Sequence, residues 1–289
     1  MENLRGAALM VLAMLGFAIE DMFIKLLAAR LPTWQIIACL GIGAGGFFAV
    51  LLRARGEALF PRAAVSPLVL LRNLGELIGT LCFVTALALT PLAQASAILQ
   101  ALPLSVTLGA ALFLGEAVGW RRWAAIAVGF VGVLLVIQPG LAGFDANALF
   151  AVAAVVGLTL RDLVTRRIPR TMSSFQLSFL AFLTLIPAVG LLALTTGGAG
   201  VMPLPRDWAL LAGAVVMGIL AYSCIVGAVR LGEVSFVTPF RYSRILFALV
   251  LGAVVFGERP DALMVTGAAL IVGSGLFTLW RERKHRPTA

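Results

Sequence analysis

Charged side chains are scarce in this sequence, and histidine is almost missing from it. Only 12% of the 289 residues are charged, whereas about 25% are charged in an average soluble protein. The single histidine, His285, stands in a basic C-terminal tail. The chain therefore lacks the side chain that most often serves as a general base and as a ligand of transition metals. Histidine-based catalysis is excluded.

Lysine and cysteine are also rare, and their positions exclude further kinds of site. The only lysines, Lys25 and Lys284, do not follow a glycine, so there is no Walker A motif to bind ATP phosphates. Cys39, Cys82 and Cys224 lie in separate apolar runs, which indicates neither a disulfide framework nor a zinc site. GxSxG and HExxH motifs are missing as well. We expect no enzyme, no metal and no cofactor.

Long apolar runs dominate instead. Hydrophobic residues make up 61% of the chain and recur along its whole length. At about 20 residues per crossing, the sequence predicts an all-α membrane protein with ten transmembrane helices. Their centres fall near Leu15, Ala44, Ile78, Leu102, Phe130, Gly157, Leu185, Val216, Leu246 and Ile271. The first run resembles a signal peptide, but it carries Glu20, Asp21 and Lys25 and leads into further spans, so we expect it to be retained.

The distribution of basic residues predicts how the helices are oriented. Ten crossings place both termini on one side of the membrane. Only Arg30, Arg206 and Arg259 fall in loops on the opposite side, while a large excess of arginine lies on the terminal side. The positive-inside rule therefore predicts a multi-pass protein of the plasma (inner) membrane with both termini in the cytoplasm.

The two halves of the sequence resemble each other at a shift of 141 or 142 residues. Matching positions include Gly16 with Gly157, Asp21 with Asp162, Lys25 with Arg166, Cys82 with Cys224 and Gly115-Glu116 with Gly257-Glu258. Each half has five crossings, an odd number, so the second copy must enter the membrane with the opposite orientation. The expected organisation is two inverted five-helix repeats, residues 1–139 and 144–281, followed by a tail at 282–289. Many secondary transporters are built in this way.

These features resemble a known family. Each half has an apolar fourth helix that ends in Gly-Glu, within Leu114-Gly115-Glu116 and Phe256-Gly257-Glu258, and then a glycine-bearing fifth helix. The pattern is similar to that of the drug/metabolite transporter superfamily, and most of all to its ten-helix EamA type, including an amino-acid exporter branch. Members move amino acids, nucleobases, vitamins and toxic cations, so the resemblance implies transport without identifying a substrate.

Ionisable residues inside the spans are the candidates for function, because a charge at a helix centre costs about 2.5–3.5 kcal/mol on insertion scales. Arg241 and Arg244, three residues apart in the ninth span, are the strongest candidates and suit a carboxylate on the substrate. The complete set of expected substrate-binding residues is Arg241, Arg244, Tyr242, Gln100, Tyr222, Phe83, Glu76, Arg72 and Glu20.

Several of these charges also have structural explanations. Asp21 with Lys25, Arg72 with Glu76 and Asp162 with Arg166 are each four residues apart and could simply form ion pairs on one helix face. Either Glu20 or Glu76 could meet an amine or carry a coupling proton. Pro103 and Pro239 predict kinks in the fourth and ninth helices.

The expected function is alternating-access transport, most of all export of small amphipathic metabolites such as amino acids, including aromatic ones. The alternative is uptake or exchange of a vitamin, a nucleoside derivative or another anionic or zwitterionic metabolite. A membrane enzyme or a lipid scramblase is a third, weaker reading. The expected partners are a small-molecule substrate, the lipid bilayer and either protons or a counter-substrate, but no nucleic acid, for a monomer or a homodimer.

Overall fold

The computed structural model describes residues 2–115, 119–141, 144–169, 172–196, 199–231 and 234–285. The helices of these residues are α1 (Glu2–Ala28), α2 (Thr33–Ala54), α3 (Pro67–Leu89), α4 (Leu92–Leu99), α5 (Leu102–Phe113), α6 (Trp120–Ile137), α7 (Ala148–Thr165), α8 (Ser174–Thr196), α9 (Pro205–Leu231), α10 (Val234–Val237), α11 (Ser243–Phe256) and α12 (Ala262–His285). Short 3₁₀ turns at Arg62–Val65 and Thr238–Tyr242 complete the elements.

Ten segments of these described residues are long and apolar enough to cross a membrane. Eight are single helices. The other two are Leu92–Phe113, which comprises α4 and α5, and Thr238–Phe256, which comprises the second 3₁₀ turn and α11. Each predicted centre falls within one of the ten segments, so the all-α fold class and the number of spans are confirmed.

The Gly-Glu motif ends a helix in each half of the chain. Gly115 and Gly257 follow α5 and α11 with φ of +69° and +65°. This left-handed conformation carries no steric penalty for glycine and is common just after a helix. Gly257 turns the chain so that Glu258 lies against α4. Glu116, the equivalent of Glu258, is outside the described residues.

Packing between the halves follows the sequence repeat. A Cβ atom on Gly16 of α1 would lie 3.0 Å from Cβ of Ala221 on α9, and one on Gly157 of α7 would lie 2.7 Å from N of Gly79 on α3. Gly16 and Gly157 are repeat equivalents at a shift of 141, and Gly79 and Ala221 are equivalents at 142. The two crossings are thus the same contact with the halves exchanged, which is what a pseudo-twofold arrangement of the repeats requires.

The α3–α7 crossing is the closer of the two. A Cβ atom on Gly75 would lie 2.7 Å from N of Arg161 and 2.8 Å from O of Gly157. Close approach of backbones at small residues is a common way for helices to associate in membranes. Gly75 and Gly79 thus serve helix packing, and the contact brings the charged residues of α3 next to those of α7.

Candidate functional site

Two transmembrane segments are interrupted at the same depth, and the interruptions are joined. The fourth segment breaks at Gln100 and Ala101. In a continuous helix the ring of Pro103 would clash with the carbonyl of the residue four positions earlier. The ninth segment begins with a 3₁₀ turn around Pro239, which precedes α11. Nε2 of Gln100 donates a hydrogen bond of 3.1 Å to O of Arg241. Discontinuous helices of this kind form the substrate and ion sites of many secondary transporters.

Arg241 lies at this junction, and its side chain is exposed. The charges that act on it most strongly are those of Asp162, Arg161 and Arg244, so the guanidinium group faces the inside of the bundle. Among the described residues, no carboxylate lies within ion-pair distance of it, and its side chain makes no hydrogen bond. An open, unpaired guanidinium group inside the bundle can receive an anion.

Arg244, in contrast, is held by a carboxylate from the first helix. Its Nη2 donates hydrogen bonds to Oδ1 and Oδ2 of Asp21, at 2.9 and 2.7 Å, and its Nε donates to Oδ2 at 3.1 Å. The ring centroids of Phe17 and Phe83 lie 5.2 and 5.5 Å from its guanidinium carbon. The carboxylate neutralises the charge and the rings add cation–π attraction. This group links α1, α3 and α11 at the centre of the bundle.

The ion pair between Asp21 and Lys25, which their helical spacing allowed, therefore does not form. Nζ of Lys25 lies 3.7 Å from Oε1 of Glu258 and donates a short hydrogen bond to O of Thr90. Spacing along one helix predicts only which residues share a face. Here, Arg244 and Glu258 from the other half of the chain supply the ion-pair partners of Asp21 and Lys25.

Glu258 lies at the N-terminus of α4. Its carboxylate accepts hydrogen bonds from N of Leu92 at 2.6 Å and from N of Ala93 at 3.1 Å. The first N–H groups of a helix have no partner within the helix, and the helix dipole favours an anion there. Together with Lys25, this carboxylate ties α1, α4 and the end of α11 together at one end of the bundle.

A second charged group joins α3 to α7. Arg72 and Arg161 each place an Nη atom 3.2 Å from the carboxylate of Glu76, and Nε of Arg161 lies 2.8 Å from Oδ1 of Asp162. Arg72 and Glu76 thus form the ion pair that their helical spacing allowed as an alternative to a substrate-binding role. Asp162 pairs with its neighbour Arg161, although its helical spacing predicts Arg166. Arg72 also donates a hydrogen bond of 3.1 Å to O of Leu177 on α8.

The remaining predicted site residues lie around these groups. Glu20 is half-buried next to Gly218 of α9, where a Cβ atom would lie 2.8 Å from its Oε1. Tyr222 packs edge-on against Phe48, with ring centroids 5.6 Å apart. Tyr242 is buried against Gly275 of α12, so its hydroxyl faces a helix other than the one that Arg241 faces.

The predicted set omits several residues that this region contains. Asp21 and Phe17 hold Arg244, and Arg161 joins Glu76 to Asp162. One signal for them was available, because the repeat shift of 141 aligns Glu20 and Asp21 with Arg161 and Asp162. Each half thus has two adjacent charged residues at equivalent, central positions, which indicates that α1 and α7 both line the interior.

An apolar groove of about 460 Å³ lies elsewhere, between α6 and α12, and is lined by residues such as Trp120, Ser274 and Phe277. Its lining includes none of the central charged side chains. An apolar surface facing the hydrocarbon of a bilayer is expected of these two helices, and the central charges remain the better candidate site.

Known proteins share this chain's sequence over most of its length. The riboflavin transporter of Vibrio cholerae serotype O1 is 34% identical over 220 residues, which cover 75% of this chain and 73% of that protein. The S-adenosylmethionine uptake transporter of Rickettsia prowazekii is 23% identical over 285 residues, or 97% and 94% of the two chains. The pseudopaline exporter CntI of Pseudomonas aeruginosa is 27% identical over 270 residues, or 92% and 93%.

A solved crystal structure has a similar fold, with a TM-score of 0.59 at 20% identity over 95% of this chain and 99% of that one. The sequence profile of the EamA-like transporter family matches this chain twice, at residues 4–138 and 146–280. The two matches cover both five-helix halves. The chain belongs to the EamA-like transporter family of the drug/metabolite transporter superfamily.

Proposed function

We propose that this chain is a secondary transporter of an anionic or zwitterionic metabolite, and that Arg241 binds the anionic group of that substrate. The observation that carries the proposal is the state of the central arginines. Arg72, Arg161 and Arg244 each have a carboxylate partner, whereas Arg241 is exposed to the interior and has none among the described residues. An unpaired charge inside a membrane is costly, so its presence indicates a function.

The surrounding contacts suit alternating access. The groups of Arg244 with Asp21 and of Arg161 with Glu76 each cross from one half of the chain to the other. Between them, the two interrupted segments meet through Gln100 and Arg241. Rocking of one repeat against the other around this junction would open the site to each side in turn.

The substrate class follows from the charges and from the names of the relatives. Those relatives are named for riboflavin, S-adenosylmethionine and pseudopaline, and not for an amino acid. We therefore place a vitamin or a nucleoside derivative ahead of amino acids, the substrate class expected from the sequence. Phe17 and Phe83 beside Arg244 provide aromatic surface for a ring on such a substrate.

Binding measurements with purified protein test the role of Arg241. Riboflavin, S-adenosylmethionine and single amino acids are added in turn to the wild type and to Arg241→Ala, and binding is followed by thermal shift and isothermal titration. Loss of a hydrogen bond to a charged group costs about 1.5–3 kcal/mol. For the compound that binds, Arg241→Ala is expected to weaken the affinity by about tenfold to a hundredfold.

A matched control uses another exposed arginine. Arg53 stands at the end of α2, so Arg53→Ala removes the same side chain away from the centre and is expected to leave the affinity unchanged. Flux of the bound compound in proteoliposomes then gives the direction of transport. Wild-type affinity in a folded Arg241→Ala variant would contradict the proposal.

We also propose that both termini lie in the cytoplasm, on the basis of the arginine distribution. A cysteine placed at the C-terminus of a variant without Cys39, Cys82 and Cys224 should be protected from an impermeant maleimide in intact cells and react after lysis. Labelling in intact cells would reverse the orientation.

A further inference from the structure

Glu20 is a carboxylate in the middle of α1 for which the described residues offer no partner. It lies eight residues before the end of the helix. Its side chain is only half-buried. Within the described part of the chain it makes no hydrogen bond and no ion pair, unlike Asp21 beside it. An ionised carboxylate in such a position is expensive in a membrane.

The repeat shows why Glu20 stands alone. At the shift of 141, Glu20 is the equivalent of Arg161, and at 142, Gly218 is the equivalent of Glu76. Arg161 of α7 faces Glu76 of α3 and forms an ion pair with it at 3.2 Å. Glu20 of α1 faces Gly218 of α9, where a Cβ atom would lie 2.8 Å from Oε1. The two equivalent crossings therefore differ: the α3–α7 crossing holds an ion pair, and the α1–α9 crossing holds a carboxylate against a bare backbone.

The charged groups near Glu20 do not compensate for it. The charges that act on it come from Asp21, which has the same sign, and from Arg244, which is already bound to both oxygens of Asp21. On the same helix, Lys25 is engaged by Glu258. On α3, the positive charge of Arg72 is shared with Glu76, and α9 presents Gly218 at this level.

Arg241, in the 3₁₀ turn that also contacts α1, feels mainly the charges of Asp162, Arg161 and Arg244. It therefore faces α7 and not Glu20. No group on the helices around α1 supplies Glu20 with a cation of its own, within the residues described.

We propose that Glu20 is a proton-binding site that is coupled to transport. The inference rests on the proposed function and adds its coupling ion. Glu20 is neutral when a proton is bound to its carboxylate oxygen, and it releases that proton to water when the cavity opens to the side of lower proton concentration. A positive group on a zwitterionic substrate can then take the place of the proton, so that one proton moves for each substrate in the opposite direction.

Infrared difference spectroscopy tests the proton site without any substrate. The wild type is expected to gain a carboxylic acid C=O band when the buffer is changed from alkaline to acid pH, and Glu20→Gln is expected to lack part of that band. Glu2→Gln, which removes an exposed carboxyl group from the other end of α1, serves as the matched control. The loss of band intensity in Glu20→Gln is compared with the loss in Glu2→Gln. A loss in Glu20→Gln no larger than that in Glu2→Gln would overturn the proposal.

Flux measurements test the coupling. In proteoliposomes that contain a pH-sensitive dye, the substrate gradient is expected to drive proton movement through the wild type and Glu20→Asp. Glu20→Gln is expected to lose this proton movement, and an unfolding temperature equal to that of Glu20→Asp shows that it is folded. Persistent proton movement through Glu20→Gln, or substrate flux without protons through the wild type, would refute coupling at Glu20. If the proposed function is wrong, Arg241→Ala will bind the compound as tightly as the wild type does. That result does not depend on the role of Glu20.

Discussion

Replacement of Gly75 by alanine would force α3 and α7 apart. The new Cβ atom would lie 2.7 Å from N of Arg161 and 2.8 Å from O of Gly157, whereas ordinary contacts begin at 3.4 Å. Both neighbours are backbone atoms and cannot rotate away, so the helices must separate by about 0.7 Å. The Nη1 atom of Arg161 lies 3.2 Å from Oε1 of Glu76. A separation of that size would stretch this hydrogen bond beyond its useful range.

The size of the effect can be isolated with a second glycine. Gly46 lies in α2, and a Cβ atom there would have nothing within 4 Å. Alanine improves helix propensity by about 1 kcal/mol at either position, so this gain cancels in the comparison. Overpacking of a tight contact costs about 1–3 kcal/mol. We therefore expect Gly75→Ala to be less stable than Gly46→Ala by about 1–3 kcal/mol.

Unfolding of the two purified variants in mixed micelles measures this difference directly. A binding measurement on the same samples should show weaker substrate affinity only in Gly75→Ala, because Glu76 and Arg161 move apart when α3 and α7 separate. Equal stability of the two variants would show that α3 and α7 do not contact each other through their backbones, and the arrangement of the α3–α7 charges would have to be abandoned.

Three further predictions concern single contacts. Asp21→Asn and Arg244→Gln should each cost about 3–5 kcal/mol in stability, because each change alone leaves a buried group unpaired. The double variant should cost less than the sum of the two single changes. Additive costs would argue against the ion pair. Tyr242→Phe should leave the unfolding free energy unchanged or raise it by about 1 kcal/mol, since the buried hydroxyl has no partner among the described residues; a clear loss of stability would reveal one. The side chain of Gln138 and then N of Met264 donate hydrogen bonds to Asp261 and hold the pKa of that carboxyl below its usual range. This stabilisation is present above the usual pKa of about 3.9 and is lost as the pH falls through the lower pKa of the folded state. The difference in stability between the wild type and Gln138→Ala should therefore shrink on acidification. A difference that does not change with pH would show that the hydrogen bond from Gln138 is unimportant.

The spans and the family pattern could be predicted from the sequence because they depend on local properties. A helix in lipid must satisfy its own backbone and carry an apolar surface, so each crossing is visible as an apolar run. The glycine of Phe256-Gly257-Glu258 is equally local, since it ends a helix with a positive φ. These features need no knowledge of which helix is next to which.

The partners of the charged residues could not be predicted in the same way. Asp21 and Lys25 lie four residues apart, yet each binds a residue from the second half, Arg244 and Glu258. Their partners are 223 and 233 positions away in sequence, and only the packing of α1 against α11 brings them together. Spacing along one helix does not predict contacts of this kind.

Neighbouring residues of the predicted site diverge around the 3₁₀ turn at Pro239. A 3₁₀ helix turns by about 120° per residue, against about 100° in an α-helix. Arg241 and Tyr242 are adjacent in this turn and face α7 and α12. Helical spacing places Arg241 and Arg244 on one side, but the hydrogen bonds to Asp21 hold the guanidinium group of Arg244 against α1.

The covalent union of two unlike repeats permits a single, unmatched arginine at the centre. At the two repeat shifts, the equivalents of Arg241 in the first half are Gln100 and Leu99, which carry no charge. A symmetric dimer of identical five-helix chains would hold every such arginine twice, and two like charges near its axis would repel each other. One chain with two diverged halves can instead give its cavity a positive side and a negative side. A polar molecule with distinct ends would then bind in one orientation only.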